Sequence, residues 1–154
     1  MITLKILKTC NISEHFIDII YKNFQYISNE SHLNHTKHEI GRILSSPNLY
    51  GLLAYHEGKI IGYMVGELMN LNDGRNVYYI SYFYVIKKYR GMKIGSRMME
   101  NIMIMVKKVG REYIVLTCDT RNKELVGFYK RFGFMKDILL QTMKSHDVFS
   151  VRLR

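Results

Sequence analysis

Two stretches of this chain hold the residues best suited to chemistry. The first is YRGMKIGSRMMENIMIMV, Tyr89 to Val106, a basic loop with two glycines that runs into an apolar helical pattern. Just before it lies VYYISYFYV, Val77 to Val85, a β-branched and aromatic run. A loop that leaves a strand and enters a helix turns unpaired backbone N–H groups outward, and the helix start adds partial positive charge. Such a place takes anions, phosphate or pyrophosphate above all. Gly91 and Gly95 let the backbone come close to a ligand, and Arg90 and Lys93 add whole charges suited to phosphate. Taken alone, the loop reads equally as a solvated turn with incidental basic residues. The second stretch is YIVLTCDTRNKELVGFYKRFGF, Tyr113 to Phe134: a buried strand, a polar loop and an aromatic-rich helix. Other candidates are weaker. His32, His35 and His38 recur every three residues, but a metal site would need them to converge with a fourth ligand; a water-facing loop and first helical turn fits better, and no metal is expected. Cys118 ends a buried strand; a reactive nucleophile would need an activating base or cation, and the position suits a small core residue instead.

The elements that must position these residues follow from periodicity. ITLKIL (residues 2–7) alternates as a short strand. Ser13–Ile27 places Phe16, Ile17, Ile20, Phe24 and Ile27 on one helical face. Thr36 and Glu39 form a capping-box pattern for a short second helix, closed by Pro47. YGLLAYHEGKIIGYMVGEL reads as a hairpin turning at His56–Lys59, and Leu71–Asn76 as a loop before the central strand Val77–Val85. Ser96 is expected to open a helix with Met98, Ile102, Met105 or Val106, and Val109 inward, ended by Gly110. Tyr113–Cys118 is a strand, and Leu125, Phe128, Tyr129 and Phe132 share one helical face stopped by Gly133. DILLQTMK and VFSVRLR are expected to close the sheet as two strands around Ser145–Asp147. The order β, α, α, β, β, β, α, β, α, β, β predicts an α+β (mixed α/β) fold in one domain spanning residues 1–154.

Composition narrows the partners. The 154 residues carry 23 Lys plus Arg against 13 Asp plus Glu, a net charge of +10. That surface favours anionic molecules and disfavours cationic substrates such as polyamines or histone tails. No window approaches the roughly 18 uninterrupted apolar residues of a membrane helix, and MITLKILKTC does not read as a secretory leader. Two unpaired cysteines, Cys10 and Cys118, suit a reducing compartment. A cytoplasmic location with no membrane partner is therefore expected. The basic charge would permit RNA binding, but no recognition motif for nucleic acid is present.

The loop and the second stretch together resemble the GNAT superfamily of N-acetyltransferases. The family signature, Arg/Gln-x-x-Gly-x-Gly/Ala after a central strand, appears as Arg90-Gly91-Met92-Lys93-Ile94-Gly95. A strand, a loop with Asn and a helix reading Phe-Tyr-x-x-x-Gly-Phe appear as Asn122, Phe128, Tyr129, Gly133 and Phe134. The resemblance covers Leu52–Phe134, and the first fifty residues only by element order. Lys93 departs from it, standing where a glycine is usual. The resemblance implies a mixed, mostly antiparallel sheet of six or seven strands with four helices, and acetyl-CoA as co-substrate without a metal. It implies cofactor contacts from Phe83, Tyr84, Val85, Arg90, Gly91, Met92, Lys93, Ile94, Gly95, Ser96, Asn122, Phe128, Tyr129 and Arg131.

It also implies a direct attack by an amine in a ternary complex. A backbone N–H near Tyr84 or Val85 would polarise the thioester carbonyl, and Tyr129 would protonate the departing thiolate, its phenol being close in pKa to a thiol. Core filling is the competing reading of Tyr129. The base is open: Ser81 and Tyr82 occupy the positions where many relatives place a glutamate, and Glu67, Asp119 or a water relayed by Tyr79 or Tyr82 are the candidates. For the acceptor, the net charge and the likeness of LTC…VGFYKRFGF to glucosamine-6-phosphate N-acetyltransferases point to an amino-sugar phosphate and a homodimer. The acidic pair of that branch is missing, however. A protein N-terminal acetyltransferase is the alternative: Tyr79 matches a tyrosine used there, although its partner histidine would be Thr117. A non-catalytic binder of CoA or nucleic acid is the third reading.

Overall fold

The computed structural model describes residues 1–7, 13–31, 36–140 and 146–154. Among these residues seven strands form one sheet: β1 (Ile2–Leu7), β2 (Leu49–His56), β3 (Lys59–Asn70), β4 (Asn76–Val85), β5 (Tyr113–Asp119), β6 (Met135–Lys136) and β7 (His146–Arg152). Among the described residues four α-helices accompany them: α1 (Glu14–Ser31), α2 (Lys37–Leu44), α3 (Ile94–Lys108) and α4 (Lys123–Arg131). The expected element order holds. Spatially the strands run β1-β2-β3-β4-β5-β7-β6. β4 and β5 pair in parallel, while the other neighbouring pairs are antiparallel. The parallel pair is joined by α3, the crossover such a connection requires.

Each face of the sheet is covered by two helices. On one face Met98, Met99, Ile102 and Val106 of α3 and Tyr129 of α4 pack against Tyr78, Ile80, Ile114 and Leu116. On the other, Phe16 and Ile20 of α1 and Ile40, Ile43 and Leu44 of α2 pack against Leu7, Leu53, Tyr63, Val65 and Tyr82. Alternation along β4 therefore matters, and it changes hand midway. Tyr78 and Ile80 face α3 and α4, yet so does Phe83, while Tyr82 faces α1 and α2. The cause is a bulge: Val65 pairs with Tyr82 but the next residue, Gly66, pairs with Ile80, leaving Ser81 over. Only glycine fits at 66, because an added Cβ would fall 2.2 Å from the Tyr79 carbonyl oxygen.

Local expectations fared unevenly. Thr36 caps α2 as its sequence predicted, its hydroxyl accepting from Glu39 N–H at 3.1 Å. α3 begins at Ile94 rather than Ser96, and it buries Met99 and Val106 while Val109 lies 46% exposed at its end. DILLQTMK does not form a strand where it is described. β6 ends at Lys136, because the Asp137 carboxylate accepts from the Leu139 and Leu140 N–H groups and turns the chain off the ladder. β7 starts at His146, earlier than expected. His32 and His35 lie outside the described residues, as does Cys10; His38 is exposed. Among the described residues there is no group of His, Cys, Asp or Glu arranged for a metal, and no helix long and apolar enough to cross a membrane.

Candidate active site

The site grows from a short seam. β4 and β5 pair only from Val77↔Tyr113 to Ile80↔Leu116, and beyond it they part. A cleft of about 530 Å³ opens there, bounded by the end of β4, the loop into α3 and one side of α4. Of the residues expected to touch a cofactor, Phe83, Tyr84, Val85, Arg90, Gly91, Lys93, Ile94, Gly95, Ser96, Asn122, Phe128, Tyr129 and Arg131 all line it. Met92 does not; it sits on the outside of the loop, 58% exposed. Tyr82, expected as a catalytic candidate that relays the base through water, does not line the cleft either, since the bulge turns it into the core beneath α1 and α2. Tyr89, Glu124 and Leu125 also line the cleft and were not anticipated. Their signal was available: Tyr89 precedes the basic loop, and Glu124 and Leu125 fall in the helical turn that Asn122 caps.

Local physics builds each wall. Gly91 takes φ +87°, with nothing within 4 Å of an added Cβ, so the turn stays open in front of the helix start. At Gly95 an added Cβ would meet only the Phe128 and Phe83 rings at 3.8 Å. Asn122 caps α4, its side-chain oxygen accepting from Leu125 N–H at 3.1 Å, and thereby fixes where the helix starts. Phe128 packs 6.1 Å from Phe83 and 5.4 Å from Tyr129, and Tyr129 in turn 5.4 Å from Phe134. The lining charges are Arg90, Lys93 and Arg131 against Glu124 alone. An open glycine turn, free helix-start N–H groups and a cationic excess fit the pyrophosphate of CoA, and the parted strand edge fits an extended arm.

Arg90 is partly committed elsewhere. Its Nε donates to the Val85 carbonyl at 2.8 Å, and its guanidinium lies 5.0 Å from the Tyr84 ring centre. Tyr84 stacks on Tyr63 in turn, 5.8 Å between centroids. Arg90 thus ties the loop to the end of β4.

Tyr129 is 5% exposed, and burial, followed by the neighbouring Cys118, pushes its phenol well above the ordinary value. The hydroxyl keeps its proton throughout the working range. Cys118 is 1% exposed, its thiol pushed up to about 11 by burial and then by Asp119 and Asp147. It is a neutral thiol at pH 7, a poor nucleophile. Tyr82 is likewise shifted upward by burial and then by Glu39.

The opposite face of the seam carries a second polar group. The Tyr79 hydroxyl and Thr117 Oγ1 lie 2.9 Å apart, bridging β4 and β5. Glu67 pairs with Tyr79 in the β3–β4 register, so the carboxylate and phenol share a face. Asp119 is ion-paired with Arg121 at 2.9 Å. Leu140 packs beside Tyr79, over Val77, Val115 and Val148.

Comparison with known proteins agrees with this geometry. The sequence profile described as "Acetyltransferase (GNAT) family" matches residues 14–134. N-alpha-acetyltransferase MAK3 of Arabidopsis thaliana is 30% identical over 105 residues, 66% of this chain and 54% of that protein. N-alpha-acetyltransferase 30 of Schizosaccharomyces pombe is 31% identical over 58 residues, 38% of this chain and 39% of that protein. The matched region thus spans about half or less of these curated relatives' length. The crystal structure of Arabidopsis thaliana NAA60 with a bisubstrate analogue superposes with a TM-score of 0.74 at 11% identity, covering 97% of this chain and 98% of that one, which speaks to the fold. With its profile match running from α1 through Phe134 and its loop and cleft in place, this chain belongs to the acetyltransferase (GNAT) family.

Proposed function

We propose that this protein is an acetyl-CoA-dependent N-acetyltransferase acting on the free amino terminus of a peptide or protein. One observation carries the reading: the seam presents Tyr129 to the cleft on one face and Tyr79, Thr117 and Glu67 on the other. Donor and acceptor would approach from opposite faces and meet where the strands part. That arrangement suits direct attack in a ternary complex, since it aligns two reactants without a covalent intermediate. The names of the curated relatives support the α-amine over an amino-sugar phosphate. Glucosamine 6-phosphate rests on the net charge and on the likeness of the α4 segment. It stands second, with a homodimer as its corollary.

Each residue then has a task. Backbone N–H groups near Tyr84 or Val85, at the end of β4, polarise the thioester carbonyl. Tyr129, protonated and facing the cleft, hydrogen-bonds the departing sulfur. Burial raises a thiolate's proton affinity as it raises the phenol's, so the two stay matched. On the acceptor side, Thr117 cannot act as a base. It orients the Tyr79 hydroxyl, and Glu67 takes the amine's proton through water.

The test is free-thiol release from acetyl-CoA with peptides bearing free amino termini, glucosamine 6-phosphate and spermidine. Turnover on peptides, abolished when their amino termini are blocked, is expected. Turnover on glucosamine 6-phosphate alone would replace the acceptor while keeping the reaction. Acetyl-CoA binding without turnover on any amine would favour a binding module.

A further inference from the structure

We propose that Arg75 and Asp137 are positioning residues for the acceptor: reaching across the sheet, they hold Leu140 as a wall of the face that carries Tyr79 and Thr117. The inference rests on reading that face as the acceptor's side. The strand registers put Val77 and Tyr79 of β4, Tyr113, Val115 and Thr117 of β5, and Val148 and Ser150 of β7 on one face. On that face α1 and α2 pack over residues of β1 to β4. Over Val77, Val115 and Val148 the cover comes instead from Leu71, Tyr113 and Leu140, beside Tyr79. Leu140 is therefore placed to meet whatever approaches the Tyr79–Thr117 pair.

Leu140 lies outside every strand and helix, so no ladder fixes it. The Asp137 carboxylate does. Its Oδ1 accepts from the Leu139 and Leu140 N–H groups at 2.9 Å and 3.2 Å and from Arg75 Nη2 at 3.2 Å. Its Oδ2 accepts from Arg75 Nη1 at 2.6 Å and from Ser150 Oγ at 2.7 Å. Arg75 comes from the loop before β4 and passes over Tyr113, 5.1 Å from the ring centre. Asp73, in the same loop, grips it from behind, accepting from Nε at 3.1 Å and Nη2 at 2.8 Å. One guanidinium fork thus joins the β3–β4 loop to the chain leaving β6. Stability is a poor reason for so enclosed an ion pair, with side chains 14% and 3% exposed: desolvation offsets the attraction, and an apolar pair would fill the space about as well. A bidentate fork supplies direction, which an apolar pair does not. Here the direction is passed through Asp137 to the Leu140 backbone.

Steady-state kinetics with acetyl-CoA and a peptide bearing a free amino terminus separate positioning from mere support. Leu140→Ala should raise the peptide KM about tenfold and leave the acetyl-CoA KM unchanged. Arg75→Lys, which keeps the charge and loses the fork, should raise the peptide KM about fivefold, again without moving the acetyl-CoA KM. The double variant should be no worse than Leu140→Ala alone, because Arg75 acts through Leu140. Effects that multiply in the double variant, or equal rises in both KM values, would reduce the ion pair to general support and overturn the proposal. An unchanged peptide KM in Leu140→Ala would overturn it too. A wild-type protein that acetylates no peptide would overturn the proposed function itself, and this inference with it.

Discussion

Tyr129 sits inside a wall of rings, and that setting decides what its removal should do. Phe128 and Phe134 hold it at 5.4 Å each, so Tyr129→Phe loses one oxygen and little packing. Turnover should fall about 10²-fold while calorimetric acetyl-CoA affinity stays within about twofold; equal turnover would remove the phenol from the chemistry. Asp137 is a different kind of residue, structural and buried at 4% exposure. Burial alone would raise its pKa. Hydrogen bonds from Arg75, Ser150 and Leu139 N–H, together with the Arg75 charge, outweigh that and hold it at about 2. Arg75 meets it at 2.6 Å and 3.2 Å and also binds Asp73. An unfolded aspartate titrates near 3.9, so the native carboxylate contributes about 2 kcal/mol that is fully present above pH 4 and lost as pH falls toward 2. Melting temperature followed from pH 6 to pH 2 should show this decline. It should be shallower in Asp137→Asn, which should itself cost about 3 kcal/mol. Nothing in the spacing of Arg75 and Asp137 announces their pairing, because 62 residues separate them and only the sheet brings them together.

At the scale of elements, the sequence was legible where one local rule acts alone. The Thr36 cap, the Gly110 stop at φ 84° and the aromatic face of α4 each follow from a few neighbouring residues. It was not legible where two elements negotiate. VYYISYFYV reads as an uninterrupted strand, and strict alternation would put Tyr82 on the same face as Tyr78 and Ile80. The surplus Ser81 reverses this, and its only local trace is Gly66 on the neighbouring strand. Gly66→Ala should therefore force the bulge apart, destabilising the fold by about 1–3 kcal/mol and shifting Phe83 away from Phe128. A drop in acetyl-CoA affinity larger than the drop in stability predicts would show that the bulge aims the cleft. Similarly, Asn122→Ala should cost about 1 kcal/mol through its lost cap, measured by chemical denaturation. It should also raise the acetyl-CoA KM, because α4 carries Phe128, Tyr129 and Arg131 into the site.

At the scale of the molecule, the +10 charge of the sequence does not by itself say which reactant it serves. The cations Arg90, Lys93 and Arg131 line the cleft, against Glu124 alone, and on the proposed function they would face the donor. Raising salt should therefore raise the KM for acetyl-CoA more steeply than the KM for a neutral-side-chain peptide, a comparison that steady-state kinetics can make. The sheet itself is two antiparallel plates, β1–β4 and β5–β7, riveted along a seam of only four residue pairs. Mechanically, that seam is where the molecule would tear first. A ligand lying along the parted edges is then a brace as well as a reactant. At a hundredfold excess over its dissociation constant it would add about 2.7 kcal/mol to the folded state. Hydrogen exchange at the ends of β4 and β5 should slow more than at the outer strands. An empty enzyme would open along this line, and a loaded one would resist pulling at its two ends as a single plate.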